Sequence, residues 1–152
     1  FWIEHKKQEL MQTISKVDLL LLNDGEARQL FDTVNLVEAA NKALELGPKF
    51  VIIKKGEHGA LLFSKNSHFN APGYPLQTIK DPTGCGDSFG GALAGYLAKT
   101  KDISEPNIRK AIIYGSVIAS HNAEGFSLQR MQDLSEEQIS QRFDEFRKIR
   151  EF

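Results

Sequence analysis

The sequence predicts an α/β protein with a mainly parallel sheet and helices on both faces. Two observations carry that prediction. Val17–Leu22 (VDLLLL) and Phe50–Ile53 (FVII) are short, nearly all-apolar runs, as expected of strands buried on both faces. Segments of helical periodicity, with recognisable caps, separate and follow these runs. Strand–helix–strand alternation of this kind is the pattern of a parallel sheet covered by helices.

The elements follow in order. Residues 3–16 read as an amphipathic helix, with Ile3, Leu10, Ile14 and Val17 near helical spacing and lysines opposite. The first strand, Val17–Leu22, ends in the polar cluster Asn23-Asp24-Gly25-Glu26. A helix runs from Glu26 to Phe31. Asn35 caps another, with Glu38 three residues on as a capping box and Gly47-Pro48 as its stop. The second strand, Phe50–Ile53, runs into Lys54-Lys55-Gly56. Residues 60–63 and about 67–80 read as short strands around turns at Lys65-Asn66 and Pro72-Gly73. A helix from Asp87 to about Lys99 places Phe89, Ala92, Leu93, Tyr96 and Leu97 on one face. Pro106 opens a further helix, whose small-residue face (Ala111, Gly115, Ala119) predicts close packing on the helix before it. Ser135 caps a last helix with Ile139, Phe143, Phe146 and Ile149 as its stripe. Tyr96, Trp2 and most phenylalanines are expected in the core.

Composition narrows the function. At 152 residues the chain is one domain-sized unit, with no linker, repeat or low-complexity tract apparent. Net charge is −1, which gives no electrostatic case for nucleic acid or an anionic membrane. No apolar run approaches the ~20 residues of a membrane span. A single cysteine rules out an internal disulfide and fits a reducing cytoplasm. His5, His58, His68 and His121 show no metal-ligand pairing.

The chemistry concentrates in Asp81–Gly91 (DPTGCGDSFGG), a loop that becomes a helix. Asp81-Pro82 ends the preceding segment. Gly84 and Gly86 let the chain turn and leave no side chain over its amides. A helix start presents unpaired N–H groups and a positive dipole end, which suits a phosphate oxyanion. Gly84, Cys85 and Gly86 are therefore the expected amide donors. Asp87, in the first helical turn, is placed to take a proton from an attacking hydroxyl. An anion cradle beside a base suggests phosphoryl transfer to an alcohol. A nucleophilic role for the Cys85 thiol is set aside, since no histidine adjoins it. Neither a G-x-x-x-x-G-K-[ST] loop nor a G-x-G-x-x-G dinucleotide fingerprint is present.

This stretch resembles the C-terminal signature of the ribokinase (PfkB-type) carbohydrate kinases, D-T-x-G-A-G-D-x-F-x-x-G. The match falls at Asp81, Gly84, Gly86, Asp87 and Phe89, with Pro82, Cys85 and Ala92 as departures and Thr83 and Gly91 on open positions. The resemblance implies a ribokinase-like three-layer α/β/α fold and a cytoplasmic, ATP-dependent sugar kinase. It implies that residues 1–152 are the C-terminal, nucleotide-binding portion, with the N-terminal sugar-binding half and lid absent from this chain. The acceptor would be a sugar or nucleoside, and a homodimer of the full-length protein is among the implied partners. Asp87 would be the base. Asn23 and Glu26 match the family's N-x-x-E motif and would help organise Mg²⁺, although Asn-x-x-Glu is also a capping box. Lys54, Gly56 and Gly59 would lie near the nucleotide phosphates, and Asn122 and Gly125 near the adenine. By the same analogy Asp81 would help hold a monovalent cation such as K⁺. A different reading is a nucleotide- or sugar-binding module without turnover.

Overall fold

The computed structural model describes residues 1–151. They pack as two compact units, Phe1–Pro72 and a second from Gly73 onward. The boundary falls at the turn expected at Pro72-Gly73, where no linker was expected.

The first unit carries the sheet. Strands β1 (Leu19–Asn23), β2 (Phe50–Lys54), β3 (Ala60–Ser64) and β4 (His68–Ala71) lie in the order β1-β2-β3-β4. The α/β class holds, but the expected mainly parallel sheet does not describe these strands. Only β1 and β2 are parallel; β2–β3 and β3–β4 are antiparallel. The reason is local. A whole helical segment separates β1 from β2, enough for a crossover, whereas the links after β2 and β3 are short turns. The β1–β2 register puts Leu22 beside Ile53 and Asn23 beside Lys54, so both strands end at the same level.

Helices α3 (Asp24–Phe31) and α4 (Leu36–Glu45) cover one face of this sheet. Ala27, Leu30 and Phe31 of α3 and Ala39, Ala40 and Ala43 of α4 join Val51, Ile53 and Phe63 in one core. Ile52 and Leu62, on the opposite face by strand alternation, are buried too, which explains the uninterrupted apolar reading of β2. The long first helix is in fact two, α1 (Trp2–His5) and α2 (Lys7–Ile14), broken at Lys6, whose φ is −136°. Trp2 is not a core residue: it is 61% exposed and stands edge-on to Phe1.

The second unit is helical: α5 (Cys85–Thr100), α6 (Glu105–Ala123), a short α7 (Gln129–Gln132) and α8 (Glu136–Ile149). Of the short strands expected over about 67–80, only the one ending at Ala71 forms, and residues 72–84 are irregular chain. Helix α6 is buried nearly all round, from Ile108 through Ile112 and Val117 to Ala123, and is the centre of this unit. Its small-residue face does pack closely. A Cβ on Gly115 would lie 2.9 Å from the Phe89 carbonyl oxygen and 3.1 Å from that ring. Phe146 of α8 is buried, and Arg142 of α8 reaches Ser120 on α6 and Glu124 at its C-terminal cap at 3.2 and 3.0 Å.

Candidate active site

Two groups of predicted site residues emerge, one in each unit. In the first unit, Asn23 and Lys54 end adjacent parallel strands. The C-terminal end of such a pair is where α/β sheets bind ligands. Asn23 caps α3 in a full capping box. Its Oδ1 accepts from the Glu26 amide at 2.7 Å, and Glu26 Oε2 accepts from the Asn23 amide at 2.7 Å. The cap occupies Asn23 Oδ1 and one Glu26 oxygen. Glu26 is exposed, and its Oε1 has no partner among the described residues. The second Asn-x-x-Glu is different. Asn35 caps α4, but Glu38 turns to Lys42 at 2.7 Å and Thr33 at 2.8 Å instead of closing the expected box. Those two partners hold its carboxyl below the usual carboxylate range.

Lys54 is half-buried and has no ion-pair partner among the described residues. Gly56 opens a 3-10 turn (Gly56–His58) and is exposed, and Gly59 ends that turn. The Lys55 amide donates to the Gly59 carbonyl at 2.7 Å, closing the loop just after β2.

In the second unit, the glycine loop wraps the start of α5. Gly84 is the N-cap at φ +80°, a conformation that an L side chain resists. Asp81 Oδ1 accepts from the Thr83 amide at 2.9 Å, forming a turn. The hydrogen bonds from Thr83 hold the Asp81 carboxyl below its ordinary range, so it is an anion at neutral pH. The Ser88 amide donates to the Gly84 carbonyl at 2.8 Å, beginning the helical ladder. The Gly84, Gly86 and Asp87 amides meet no acceptor among the described residues. The Cys85 amide, expected as a third free donor, is bonded to the Pro82 carbonyl at 3.2 Å. Its thiol points toward α6, 3.5 Å from the Ala119 carbonyl oxygen. Asp87 is exposed in the first turn of α5, beside these amides.

The two residues expected near adenine are both buried. Asn122 is 1% exposed and donates to the Thr83 carbonyl at 2.9 Å, so its amide lies against the glycine loop instead of facing solvent. Gly125 is buried just past α6, where a Cβ would lie 2.5 Å from the Arg130 Cβ. His121 is 3% exposed, and neither ring nitrogen has a hydrogen-bond partner among the described residues. Burial, then the nearby Arg142 charge, lowers its pKa against the pull of Glu124. Sequence reading offered no signal for this residue beyond an apolar helix around it. Among the described residues no cluster of three or more His, Cys, Asp or Glu could hold a metal by itself, and no helix is long and apolar enough to cross a membrane.

The fold is that of ribokinase-type kinases. A protein designated ribokinase II from E. coli, solved in complex with ATP and Mg²⁺, superposes with a TM-score of 0.74 at 25% identity, over 97% of this chain and 44% of that one. By sequence, the chain belongs to the pfkB family carbohydrate kinases, whose profile matches residues 1–133. Its relatives include a cytidine kinase of Thermococcus kodakarensis, 37% identical over 60% of this chain and 34% of that protein. A ribokinase of Staphylococcus aureus is 29% identical over 83% of this chain and 41% of that protein. The chain thus spans less than half the length of each of these relatives.

Proposed function

We propose that this chain is the nucleotide-side portion of a kinase that transfers the γ-phosphate of ATP to a hydroxymethyl group of a sugar or nucleoside. The observation that carries this reading is the open start of α5, where unfilled amides at Gly84 and Gly86 adjoin the exposed carboxylate of Asp87. Asp87 accepts the proton of the acceptor hydroxyl. The freed oxygen forms a bond to the γ-phosphorus, the bond to the β–γ bridging oxygen breaks, and ADP leaves. The Gly84 and Gly86 amides stabilise charge developing on the transferred group. The Cys85 amide joins them if it releases Pro82. Lys54, unpaired at its strand end, serves as a point charge for the nucleotide phosphates, with Gly56 and Gly59 giving the chain a close approach. Gly125 shapes the turn on the nucleotide side.

The residues fit a magnesium ion that keeps several waters. Glu26 offers one unused carboxylate oxygen, Asn23 holds that carboxylate through the capping box, and the phosphates supply the rest. Bound there, Mg²⁺ would neutralise phosphate charge. The ionised Asp81 is the group suited to a monovalent cation such as K⁺. The named activities of the cytidine kinase and the ribokinase support a nucleoside or ribose-like acceptor, and the ATP and Mg²⁺ in the E. coli structure support those two ligands.

The test is to incubate the full-length protein with Mg²⁺-ATP and a panel of pentoses, hexoses and nucleosides. ADP release should require an acceptor and vanish in Asp87→Asn. Tight ATP binding with no acceptor-dependent ADP release would instead identify a nucleotide-binding module.

A further inference from the structure

We propose that Asn122 is a positioning residue, which sets the direction of the Thr83–Gly84 peptide and so aims the Gly84 amide at the anion. The proposal rests on the phosphoryl-transfer reading of the loop. Asn122 is 1% exposed and donates through Nδ2 to the Thr83 carbonyl at 2.9 Å. The Thr83–Gly84 peptide is trans, and in a trans peptide C=O and N–H point in opposite directions. A carbonyl held toward the end of α6 therefore sends the Gly84 N–H the other way, to the side where no protein acceptor meets it.

Gly84 makes this hold necessary. Turning the peptide over would carry the φ of Gly84 from +80° to negative values, and glycine tolerates both. In the turned form the Thr83 carbonyl would face the anion and repel it, while the Gly84 N–H pointed inward. The glycine that bares the loop leaves its orientation unfixed, and Asn122 fixes it. The surrounding contacts reinforce this. The same Nδ2 lies 3.5 Å from Cys85 Sγ, which ties the first residue of α5 to the same place. The Lys80 and Asp81 amides donate to the Ala123 carbonyl at 2.8 and 3.3 Å, gripping the loop before its turn.

The bland alternative is a buried asparagine that only satisfies its own hydrogen bonds. Asn122→Leu, close in shape but without a donor, separates the two in the full-length protein with Mg²⁺-ATP and its best acceptor. The expected result is a folded enzyme whose kcat falls by about 10²-fold, the scale of losing one oxyanion donor, with a much smaller change in the KM for ATP. Asn122→Asp, which replaces the donor with an acceptor, should be at least as damaging. If the leucine variant does not fold, Asn122→Ser takes its place. A second readout needs no turnover. With ¹⁵N-glycine labelling, the Gly84 amide resonance should shift when orthovanadate is added to the wild type and stay still in the variants. Wild-type kcat in the variants, or a Gly84 response unchanged from wild type, overturns the proposal. If Asp87→Asn also keeps full activity, it is the phosphoryl-transfer reading that has failed; if only the Asn122 variants are silent, the positioning role alone has failed.

Discussion

Helices α3 and α5 begin in opposite ways. The start of α3 is closed: Asn23 and Glu26 fill each other's backbone amides at 2.7 Å. The start of α5 is open: Gly84 has no side chain to cap it, and the amides of Gly86 and Asp87 have no acceptor among the described residues. Every helix start has orphan donors, and a side-chain cap is the usual remedy, worth about 0.5–2 kcal/mol. Leaving α5 uncapped forgoes that stabilisation and keeps the donors for a ligand. The closed start has its cap and third-residue amides filled by side chains, and it fixes a carboxylate in place with one oxygen to spare. On the proposed function, one end would take an anion and the other a cation.

The sharpest way to break this comparison is Asp87→Asn. If the open start is the catalytic one, kcat for acceptor-dependent ADP release in the full-length protein should fall by roughly 10²–10⁴-fold, while ATP affinity by calorimetry changes little. A rate within threefold of wild type would reduce Asp87 to a charge complementing the helix dipole.

Next in size is the seat of α5. Gly115→Ala would put a Cβ 2.9 Å from the Phe89 carbonyl oxygen, a backbone atom that cannot swing aside. Overpacking of this kind costs about 1–3 kcal/mol, read as a lower Tm. A matched change in α4, Ala40→Gly, removes a buried methyl without a clash and tests whether α5 is the more tightly seated helix. An unchanged Tm in Gly115→Ala would mean that α5 and α6 can separate at little cost.

How much of this was legible in the sequence depends on the range of the interaction. The buried strands, the Asn23–Glu26 box and the glycine loop are local patterns, and each appears where the residues indicated. The sheet's mixed direction was missed because a strand's composition reports its burial, not its partner's orientation. The break at Lys6 was missed because lysine is a good helix former and nothing beside it is a breaker. Glu38 was misread because a capping box and an i,i+4 pair with Lys42 compete for the same carboxylate, and sequence does not rank them. Asn122 was placed near the adenine by the family resemblance, which reports neither its burial nor its partner. Its burial follows from α6 being enclosed, which depends on all the helices of the second unit.

Glu26 sharpens the comparison at lower cost, since its two roles can be separated. Glu26→Gln keeps an acceptor for the Asn23 amide and removes the charge. Stability should hold within about 0.5 kcal/mol, while the Mg²⁺ concentration for half-maximal rate rises several-fold. Glu26→Ala should lose both, with a further fall in stability of about 0.5–2 kcal/mol. Glu38→Gln, at the other Asn-x-x-Glu, should leave the Mg²⁺ dependence untouched. An unchanged Mg²⁺ requirement in Glu26→Gln would leave the box as a cap and nothing more.

The smallest effect concerns the end of α6 that supports the open start. His121 precedes Asn122, is 3% exposed, and has neither nitrogen hydrogen-bonded. Burial, then Arg142, lowers its pKa, with Arg130 acting the same way and Glu124 against. Glu124 Oε2 is 3.5 Å from Nδ1, but a ring kept neutral makes no ion pair with it. In the unfolded chain the ring takes a proton near the ordinary histidine value of about 6.5, and in the folded protein it does so only at lower pH. The unfolded state therefore binds more protons as pH falls below that value, and stability declines with it. The decline should stop once the folded-state value is passed. Urea denaturation of the full-length protein at pH 7.0 and 5.5 measures the slope. His121→Leu should flatten it, with no loss of stability at pH 7.0, because exchanging an unpartnered buried polar group for an apolar one is close to neutral or better. A slope unchanged in that variant would place the titrating group elsewhere and leave the end of α6 indifferent to pH.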